Sequence, residues 1–504
     1  MMKRNNAVSK LSDLLSASNP WQVPFWAAVY LVVAAILQFH FVSVPYDADT
    51  AYHVAVGRLI RDHGILHAFP WTPFSWLADH YADKELLLHL LFVPLAGVDW
   101  ITASKVVGTI LAAALLFILY LILRAERIRF AGCWALLPLI TSDVFVFRLA
   151  LVRPHLLSIS LSLLFLWAAA RDRLVLLTLV SALFPWAYIA FWQLPLIYLV
   201  AVEAARLLAG GRIQWKPAAV ALAGAVAGLV LHPNSLNLIT VNWIHMVDVL
   251  FKNAWESKAG VELGLEFLPF TFSQWMHWLL AASAMVLAGL FLGWRERKQD
   301  RFLLTFALAA LAFGMLTLRT ARFAEYFVPF AAATMALASR FIPWRGIIVA
   351  VFGVSILYTG SALSETLDGL GTRIENIPQS RALWLQQRVP VGSQVFTTEW
   401  GLTGMLMLAL PDRKFIVALD PTLFLVKDPA LYDLWYEIPR KPRPGMAEII
   451  RQRFGARFVI SFGDDRFNEF YYMLAKEPGV RTLLISDRWM VYDLGEPTGQ
   501  SVGP

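Results

Sequence analysis

Long apolar runs alternate with short basic connections over the first two thirds of the chain. Runs such as 25–38 and 106–123 are almost purely apolar. A helix that crosses the hydrocarbon core of a bilayer needs roughly 20 such residues. The pattern therefore predicts membrane-spanning helices, and the candidates are 23–42, 101–123, 130–147, 151–170, 174–190, 193–208, 217–232, 273–294, 302–318, 323–339 and 346–363.

The positions of the basic residues support these eleven spans. Lys and Arg cluster at alternate connections, namely 124–129, 171–173, 206–216, 295–301 and 340–345. Because positively charged loops stay on the cytoplasmic side, eleven spans place every cluster in the cytoplasm, together with the N-terminus, and put the C-terminus outside. The apolar segment 85–97 has only about 13 residues, too few for a crossing, so we expect an interfacial helix there.

The remainder of the chain is organised differently. Two long outer loops, 43–100 and 233–272, interrupt the predicted transmembrane domain of residues 1–363, and from Ser364 on the apolar runs shorten. Strands are predicted at 393–398, 414–419, 457–462, 481–485 and 490–494, most of them separated by helical stretches. This alternation predicts a small α/β domain over 364–504 with some parallel strand pairing. The expected fold is thus an all-α polytopic membrane protein with a small extracytoplasmic α/β domain.

Composition excludes several classes of protein. Of the 504 residues, 58% are hydrophobic and 16% are charged, and the mean hydropathy is +0.58. These values exclude a cytosolic enzyme and a disordered or fibrous protein. The single cysteine, Cys133, excludes a disulfide framework and a Cys-based zinc site. The net charge of +7 does not indicate nucleic-acid binding, because most Lys and Arg lie between spans.

The start of the first outer loop contains the highest concentration of candidate site residues. A helix that begins near Asp47 and Asp49 would stack Asp49, His53 and Gly57 on one face at i, i+4 spacing. The two carboxylates could hold a divalent cation, Mg²⁺ or Mn²⁺, against a phosphate. Alternatively, one carboxylate could be the general base for an acceptor hydroxyl. An N-capping Asp and a solvated Asp in an ordinary loop form the structural alternative.

A second group of polar residues lies where the third and fourth spans meet. It comprises Arg148, Arg153 and His155, with Asp143 nearby. An Arg at this depth is costly and is usually retained for a purpose. Its fork suits a phosphate, because it can donate to two oxygens at once. The alternatives are snorkelling to lipid headgroups and pairing with Asp143.

Three further candidates lie in the predicted outer connections. Arg319 and Arg322 stand between the ninth and tenth spans, against the positive-inside trend, and anion binding would explain them. Headgroup contact or an ion pair with Glu325 is the alternative. Glu256, in the second outer loop, is a candidate acid, base or acceptor contact, although a solvated loop carboxylate would look the same.

The first outer loop continues with an aromatic stretch from Trp71 to Trp76 and with Glu85 before the next apolar segment. With this loop the sequence resembles the GT-C superfamily of polytopic glycosyltransferases, which use polyprenyl-phosphate-linked sugars. Oligosaccharyltransferases, protein O-mannosyltransferases and lipid A aminoarabinose transferases belong to it. The nearer likeness is to a large bacterial group that reads Asp-x-x-x-His-x-x-x-Gly after span one. That group also has an Arg-Pro pair, matched by Arg153-Pro154, and an Arg-x-x-Arg-Phe-like element, matched by 319–323.

The resemblance implies an integral-membrane glycosyltransferase of the bacterial inner membrane with a periplasmic C-terminal domain. It would move a sugar from a polyprenyl-phosphate-linked donor, amid membrane lipid, to an envelope glycan, lipid or protein, and envelope-assembly proteins are possible partners. Inversion at the anomeric carbon is expected. A Trp-Trp-Asp-type motif is absent from the C-terminal region, which disfavours Asn glycosylation.

The resemblance also divides the candidate residues by role. Asp49 or Asp47 would be catalytic, and His53, Glu85 and Glu256 would be accessory acids, bases or acceptor contacts. The residues that would hold the donor phosphate are Arg148, Arg153, His155, Arg319 and Arg322. Two other functions stay open on the sequence: a non-catalytic envelope assembly protein, and a transporter or flippase of lipid-linked glycans.

Overall fold

A computed structural model of the chain describes residues 21–44, 48–247, 264–298, 300–344, 346–372, 377–401, 403–486 and 489–495. Helices dominate the described residues. The α-helices up to the second outer loop are α1 (Gln22–Ile36), α2 (Ala48–His63), α3 (Leu86–Phe92), α4 (Trp100–Ala125), α5 (Ala131–Trp134), α6 (Pro138–Thr141), α7 (Asp143–Ala150), α8 (His155–Ala170), α9 (Leu174–Ala187), α10 (Gln193–Leu208), α11 (Trp215–Leu231) and α12 (Ser235–Trp243).

The second half of the chain continues the bundle and then adds a sheet. Its α-helices are α13 (Phe272–Trp278), α14 (Leu280–Glu296), α15 (Arg301–Arg319), α16 (Ala324–Ala338), α17 (Ile347–Thr372), α18 (Gln379–Arg388), α19 (Thr403–Ala409), α20 (Thr422–Lys427), α21 (Pro429–Arg440), α22 (Met446–Phe454) and α23 (Asn468–Leu474). The strands are β1 (Gln394–Phe396), β2 (Lys414–Phe415), β3 (Ala456–Phe462), β4 (Arg481–Ser486) and β5 (Trp489–Asp493).

Several helices have the length and composition of membrane spans. Four helices are long and apolar enough on their own: α1 with its continuation to Phe41, α4, α15 and α17. Three pairs of helices are long and apolar enough only when the two helices of a pair are taken as one bent span. They are α7 with α8, α11 with Ser235–Val247, and α13 with α14, and the bends between their helices are 115°, 117° and 75°. The described residues thus contain four such helices, or up to seven with the bent pairs. The predicted count of eleven spans stays a prediction.

The predicted span over 130–147 is wrong in one respect, because it is not a single helix. The segment divides into α5, α6 and most of α7. Phe130 adopts a left-handed conformation with φ 59°, and Ser142 is extended with φ −157° and ψ 129°. Pro138 begins α6, where the missing N–H of proline costs no helical hydrogen bond. The break before α7 and the bend after it place Arg148 and Arg153 on either side of a sharp turn.

The basic connections between helices lie together at one end of the bundle. Arg171 pairs with Glu126, Arg340 Nη1 lies 2.5 Å from Asp300 Oδ2, and Arg301 Nη2 lies 3.7 Å from an Asp172 oxygen. These ion pairs join connections that the sequence assigned to a common side of the membrane. The identity of that side stays a prediction.

The other end carries the small sheet, and we call it the sheet end. The strand order is β2-β1-β3-β5-β4, in which β1 is parallel to β2 and to β3, while β5 is antiparallel to β3 and to β4. Parallel pairing was predicted from the alternation of strands and helices. Helix α17 continues to Thr372, past residue 364, and the predicted domain boundary there stays a prediction.

The first outer loop packs directly against the sheet. Ala51 and Val56 of α2 belong to the same buried apolar cluster as Val395, Phe415 and Val491 of the strands. The backbone N–H of Phe415 donates to the carbonyl of Trp71 at 2.7 Å, and the Trp71 indole donates to the Pro411 carbonyl at 2.6 Å. The loop and the sheet therefore share one core, which holds α2 in place above the helices.

Candidate functional site

Arg148, at the sheet end of α7, is held by two carboxylates from distant parts of the chain. Its Nε and Nη2 donate to Glu325 Oε2 at 2.8 and 2.6 Å, and its Nη1 donates to Glu266 Oε2 at 2.6 Å. Glu325, in the first turn of α16, is fully buried. Two hydrogen bonds to one oxygen of Glu325 fix the guanidinium, and Glu266 accepts a hydrogen bond from its remaining nitrogen, Nη1.

Glu266 is shared by three guanidinium groups. Beside Arg148, its Oε2 lies 3.3 Å from Arg153 Nη1, and its Oε1 accepts from Arg322 Nη1 at 3.1 Å. Burial alone would raise the pKa of the Glu266 carboxyl, but Arg322, Arg148 and Arg153 outweigh it and lower that pKa. Glu266 is therefore ionised at neutral pH and draws the three cations into one cluster.

Asp49 completes this cluster from the first outer loop. It lies in the first turn of α2, and its Oδ2 is 2.9 Å from Arg153 Nη1. The side chain of Asp49 is 27% exposed and that of Arg153 is 15% exposed, so the pair faces an accessible space. Three guanidinium groups thus meet three carboxylates, and Asp49 is the most exposed of the carboxylates.

The structure brings together most, but not all, of the residues predicted to hold a phosphate. Arg148, Arg153 and Arg322 share the cluster, and the buried His155 ring donates from Nε2 to the Arg148 carbonyl at 2.9 Å. Arg319 is exposed at the end of α15 and takes no part in the ion pairs that join the described residues of this cluster. The phosphate-binding role of all five residues stays a prediction.

A second polar group lies beside the first and joins α2 to α3. His53 Nδ1 and His89 Nε2 are 2.9 Å apart, and both oxygens of Asp83 lie 2.8 Å from His89 Nδ1. Glu85 Oε2 is 3.8 Å from His53 Nδ1. His53, His89 and Asp83 are all buried.

The two imidazoles have opposite pKa shifts. Burial, followed by the charges of His89 and Arg153, lowers the pKa of His53 well below its ordinary value. Burial would lower the pKa of His89 as well, but the Asp83 carboxylate outweighs it by charge and hydrogen bond and raises that pKa. His53 is therefore neutral at physiological pH. His53 lies one helical turn after Asp49, which pairs with Arg153, so the two polar groups adjoin.

Glycine at position 57 allows this arrangement. A Cβ at Gly57 would lie 2.5 Å from the Phe92 Cβ and 3.1 Å from the His89 carbonyl oxygen. Real Cβ atoms do not approach so closely, because protein interiors are already packed to contact. The predicted Asp49, His53 and Gly57 stripe therefore has a packing reason: it is the face on which α2 lies against α3.

Asp420, which was not among the predicted site residues, links the sheet region to both outer loops. Its Oδ2 accepts from Lys84 Nζ at 3.1 Å and lies 2.5 Å from His245 Nε2. Burial would raise the pKa of Asp420, but His245 and Lys84 outweigh it and hold that pKa well below its ordinary value. Lys84 and Asp420 are 336 positions apart, so no spacing rule could have paired them.

Two predicted site residues, Asp47 and Glu256, lie outside the residues that the structure describes. The predicted Mg²⁺ or Mn²⁺ site at Asp47 and Asp49 therefore stays a prediction, and the described half of it, Asp49, is already paired with Arg153. The described residues contain a different group that could hold a metal ion. Its donor atoms come from His53, Glu85 and His89 and lie within 4.8 Å of one another.

Comparison with known proteins rests on structure alone. No protein-family model matches the chain, and no curated protein matches it in sequence. Among solved structures, the chain is similar to the Archaeoglobus fulgidus oligosaccharyltransferase tethered with an acceptor peptide. The TM-score is 0.60 at 14% identity, over 91% of this chain and 71% of that one.

Two further similarities concern a mycobacterial and a Cupriavidus protein. Arabinofuranosyltransferase AftD from Mycobacteria matches with a TM-score of 0.56 at 14% identity, over 95% of this chain but only 40% of its own. ArnT from Cupriavidus metallidurans bound to undecaprenyl phosphate matches with a TM-score of 0.58 at 13% identity, over 97% of this chain and 100% of its own. These are GT-C glycosyltransferases, so the chain has the GT-C fold that the sequence resemblance predicted.

Proposed function

We propose that the chain is an integral-membrane glycosyltransferase. It transfers a sugar from a polyprenyl-phosphate-linked donor to a glycan, lipid or protein acceptor at the outer face of a bacterial inner membrane. The observation that carries this proposal is the position of Asp49, an accessible carboxylate, against the cluster of Arg148, Arg153 and Arg322. Such a site places a candidate base, Asp49, in direct contact with a group of arginines that can bind an anion.

The cluster supplies the groups that a departing polyprenyl phosphate requires. A guanidinium can donate to two phosphate oxygens, and donors fixed in advance stabilise charge that develops in the transition state. Arg153 is the exchangeable member, because the donor phosphate can replace Asp49 as its partner. Glu266 and Glu325 keep Arg148 and Arg322 in position meanwhile. The similarity in fold to ArnT bound to undecaprenyl phosphate supports a lipid phosphate as the leaving group.

Release from Arg153 leaves Asp49 able to act as the general base. The acceptor oxygen forms a bond to the anomeric carbon, the bond from that carbon to the phosphate oxygen breaks, and the electron pair leaves with the polyprenyl phosphate. The acceptor proton passes to Asp49, a step of the kind worth roughly 10²- to 10⁴-fold in rate. Three further residues are proposed as accessory or acceptor-binding groups: His53, which lies one turn after Asp49, Glu85 and Glu256.

The location of the site supports transfer at a membrane surface. The cluster lies where apolar helices end and the sheet begins, so a lipid-linked donor can keep its tail among the helices while its phosphate reaches the arginines. Inner-membrane location, a cytoplasmic N-terminus and contacts with envelope-assembly proteins belong to the same proposal. A divalent cation at Asp47 and Asp49 is a separate proposal, and the rate before and after EDTA treatment tests it.

Purified chain in lipid nanodiscs tests the proposed reaction. The lipid extract of a strain that lacks the gene serves as the source of donor and acceptor, and mass spectrometry follows the release of free polyprenyl phosphate. We expect release with the wild type and with Asp62→Asn, an exposed carboxylate on the same helix, but not with Asp49→Asn. Equal release with all three would refute the assignment of Asp49, and no release with any of them would refute the transferase.

A further inference from the structure

We propose that His53, Glu85 and His89 bind a transition-metal ion, with Zn²⁺ as the best match, in a site separate from the Asp47 and Asp49 pair. The inference does not rest on the proposed transferase activity. It rests on the donor atoms, on their distances and on a carboxylate that orients one of the imidazoles.

The three donor atoms are already gathered. His53 Nδ1 lies 2.9 Å from His89 Nε2 and 3.8 Å from Glu85 Oε2, and the set lies within 4.8 Å. Nitrogen and oxygen ligands of Zn²⁺ lie about 2.0–2.1 Å from the ion, which places tetrahedral ligands about 3.4 Å apart. Movements of a few tenths of an ångström up to roughly 1 Å would therefore bring all three donors onto one ion.

Asp83 holds His89 in the form that a metal ligand needs. It lies 2.8 Å from His89 Nδ1, and because a carboxylate only accepts, that nitrogen carries the proton. The Nε2 lone pair is then directed toward His53 and Glu85. A carboxylate behind a ligating histidine is the common arrangement around protein-bound zinc. Asp83 is itself fixed, since its Oδ1 accepts from the Glu85 backbone N–H at 3.1 Å.

The chemistry of the donors selects the class of metal. Two imidazoles and one carboxylate suit zinc and its neighbours, whereas Mg²⁺ and Ca²⁺ prefer an all-oxygen set. Three protein ligands leave the fourth tetrahedral position for water or another small ligand. The side chain of Glu85 is 15% exposed, whereas both imidazoles are buried. The fourth coordination position would therefore be reached from the side of Glu85.

An ion at this site would connect two elements that hold the catalytic candidate. His53 is on α2, one turn after Asp49, and His89 is on α3, while Glu85 directly precedes α3. The ion would thus fasten the helix that presents Asp49 to the short helix beside it. Coordination would replace the hydrogen bond between the two imidazoles, and the proton that His53 carries on Nδ1 would move to its Nε2.

Cobalt binding to the full-length protein tests the site, because Co²⁺ reports ligand geometry by its visible absorption. The protein is purified in nanodiscs without a histidine tag, stripped with a chelator and titrated with Co²⁺, and Zn²⁺ is then added in competition. We expect one Co²⁺ per chain, a tetrahedral-type absorption, and displacement by Zn²⁺.

Four variants separate the proposed site from adventitious binding. His89→Ala and Glu85→Gln should remove the tetrahedral absorption, whereas His63→Ala, at the exposed end of α2, should retain it. Asp83→Asn should keep the absorption but weaken the affinity about 10- to 100-fold, the usual effect of losing the carboxylate behind a ligating histidine. The thermal unfolding of each stripped variant identifies any that fail to fold.

The proposal is overturned if the stripped wild type takes up no Co²⁺. It is also overturned if His89→Ala and Glu85→Gln, folded like the wild type, give its absorption unchanged. Because no sugar transfer is measured, failure here leaves the proposed transferase untouched, and a failure of the transferase assay leaves the metal site untouched.

Discussion

Arg153 and Asp49 form an ion pair in which Nη1 of the arginine lies 2.9 Å from Oδ2 of the aspartate. The pair joins the first outer loop to the bend between α7 and α8, two segments that are 104 positions apart in the sequence, by their residue numbers. In the proposed reaction, Arg153 exchanges Asp49 for the donor phosphate, and Asp49 then accepts the proton of the acceptor hydroxyl. This competition yields a prediction about binding and turnover.

Asp49→Asn should separate donor binding from catalysis. The substitution removes the carboxylate that competes for Arg153, so the donor should bind as tightly as to the wild type or more tightly. The turnover rate should fall about 100-fold or more, because an amide cannot take the acceptor proton. Donor affinity and turnover measured on the same preparation check this, with Asp62→Asn as the matched control. A weaker donor affinity with normal turnover would contradict it.

Arg322→Lys should weaken donor binding more than Arg319→Lys. The ammonium group of lysine cannot reproduce the planar fork of arginine, and Arg322 belongs to the cluster around Glu266. We expect the donor KM to rise about tenfold for Arg322→Lys, equivalent to about 1.4 kcal/mol, and by less than about twofold for the exposed Arg319→Lys. Equal effects of the two substitutions would show that Arg319 contacts the donor as closely as Arg322.

The three arginines of the cluster also show what sequence patterns could predict about the site. Arg148, Arg153 and Arg322 each departed from the charge distribution expected of a membrane protein, and each was therefore singled out. Their assembly around Glu266 depends on contacts over 56 to 118 positions, which local spacing does not encode. Glu266 was not among the predicted site residues, because its three partners lie at distant positions in the sequence.

Glu325→Gln should lower the stability of the helix bundle. The fully buried Glu325 accepts two hydrogen bonds from Arg148, and its loss leaves a buried guanidinium with Glu266 alone. Removing one member of a buried pair costs about 3–5 kcal/mol in unfolding free energy. Denaturant unfolding in detergent measures this change.

The double variant Arg148→Met with Glu325→Gln is the control for that measurement. It removes the uncompensated charge, so its loss of unfolding free energy should be smaller than the sum of the two single losses. Strict additivity would mean that the two side chains do not interact.

Asp420→Asn should weaken the attachment of the sheet to the outer loops. It removes the carboxylate that pairs with Lys84 and His245. We expect the free energy of unfolding to fall by about 1–3 kcal/mol, since the two ion pairs are only partly buried. The folded-state pKa of Asp420 is depressed. Its contribution is therefore present above the unfolded carboxyl pKa of about 3.9 and is lost as the pH falls through the lower folded value.

Thermal unfolding of the wild type and Asp420→Asn between pH 6 and pH 3 tests this direction. The difference in melting temperature should persist down to about pH 4 and shrink only below it. The exposed Asp433→Asn serves as the control and should show no such difference. A difference that vanished already near pH 5.5 would contradict the depressed pKa.

Gly57→Ala should disturb the contact between α2 and α3. The added methyl group would lie 2.5 Å from the Phe92 Cβ, so the helices must separate or the backbone must shift. Overpacking of this kind costs about 1–3 kcal/mol. Gly97→Ala, where a Cβ meets nothing within 4 Å, is the matched control. Unchanged thermal stability in Gly57→Ala would show that the two helices are not in close contact.

The outline of the fold was predictable where it depends on local hydropathy, and it was not predictable where a helix is interrupted. Apolar length and basic connections identified α4, α15 and α17, because hydropathy acts locally along the chain. The same reasoning joined α5, α6 and α7 into one span, because apolar composition does not reveal breaks such as the extended Ser142 between α6 and α7. Asp420 was missed because its partners, Lys84 and His245, come from other segments. Asp83 was missed although its partner His89 is only 6 positions away, because the sequence does not show that both side chains are buried.

The most direct test of the account is mass spectrometry of envelope glycans from a strain that lacks the gene. The strain is complemented with the wild type, with Asp62→Asn or with Asp49→Asn at equal expression. We expect the deletion to remove a sugar mass that the wild type and Asp62→Asn restore and that Asp49→Asn does not, and the missing mass would identify the sugar. Restoration by Asp49→Asn, or no missing mass at all, would contradict the central claim.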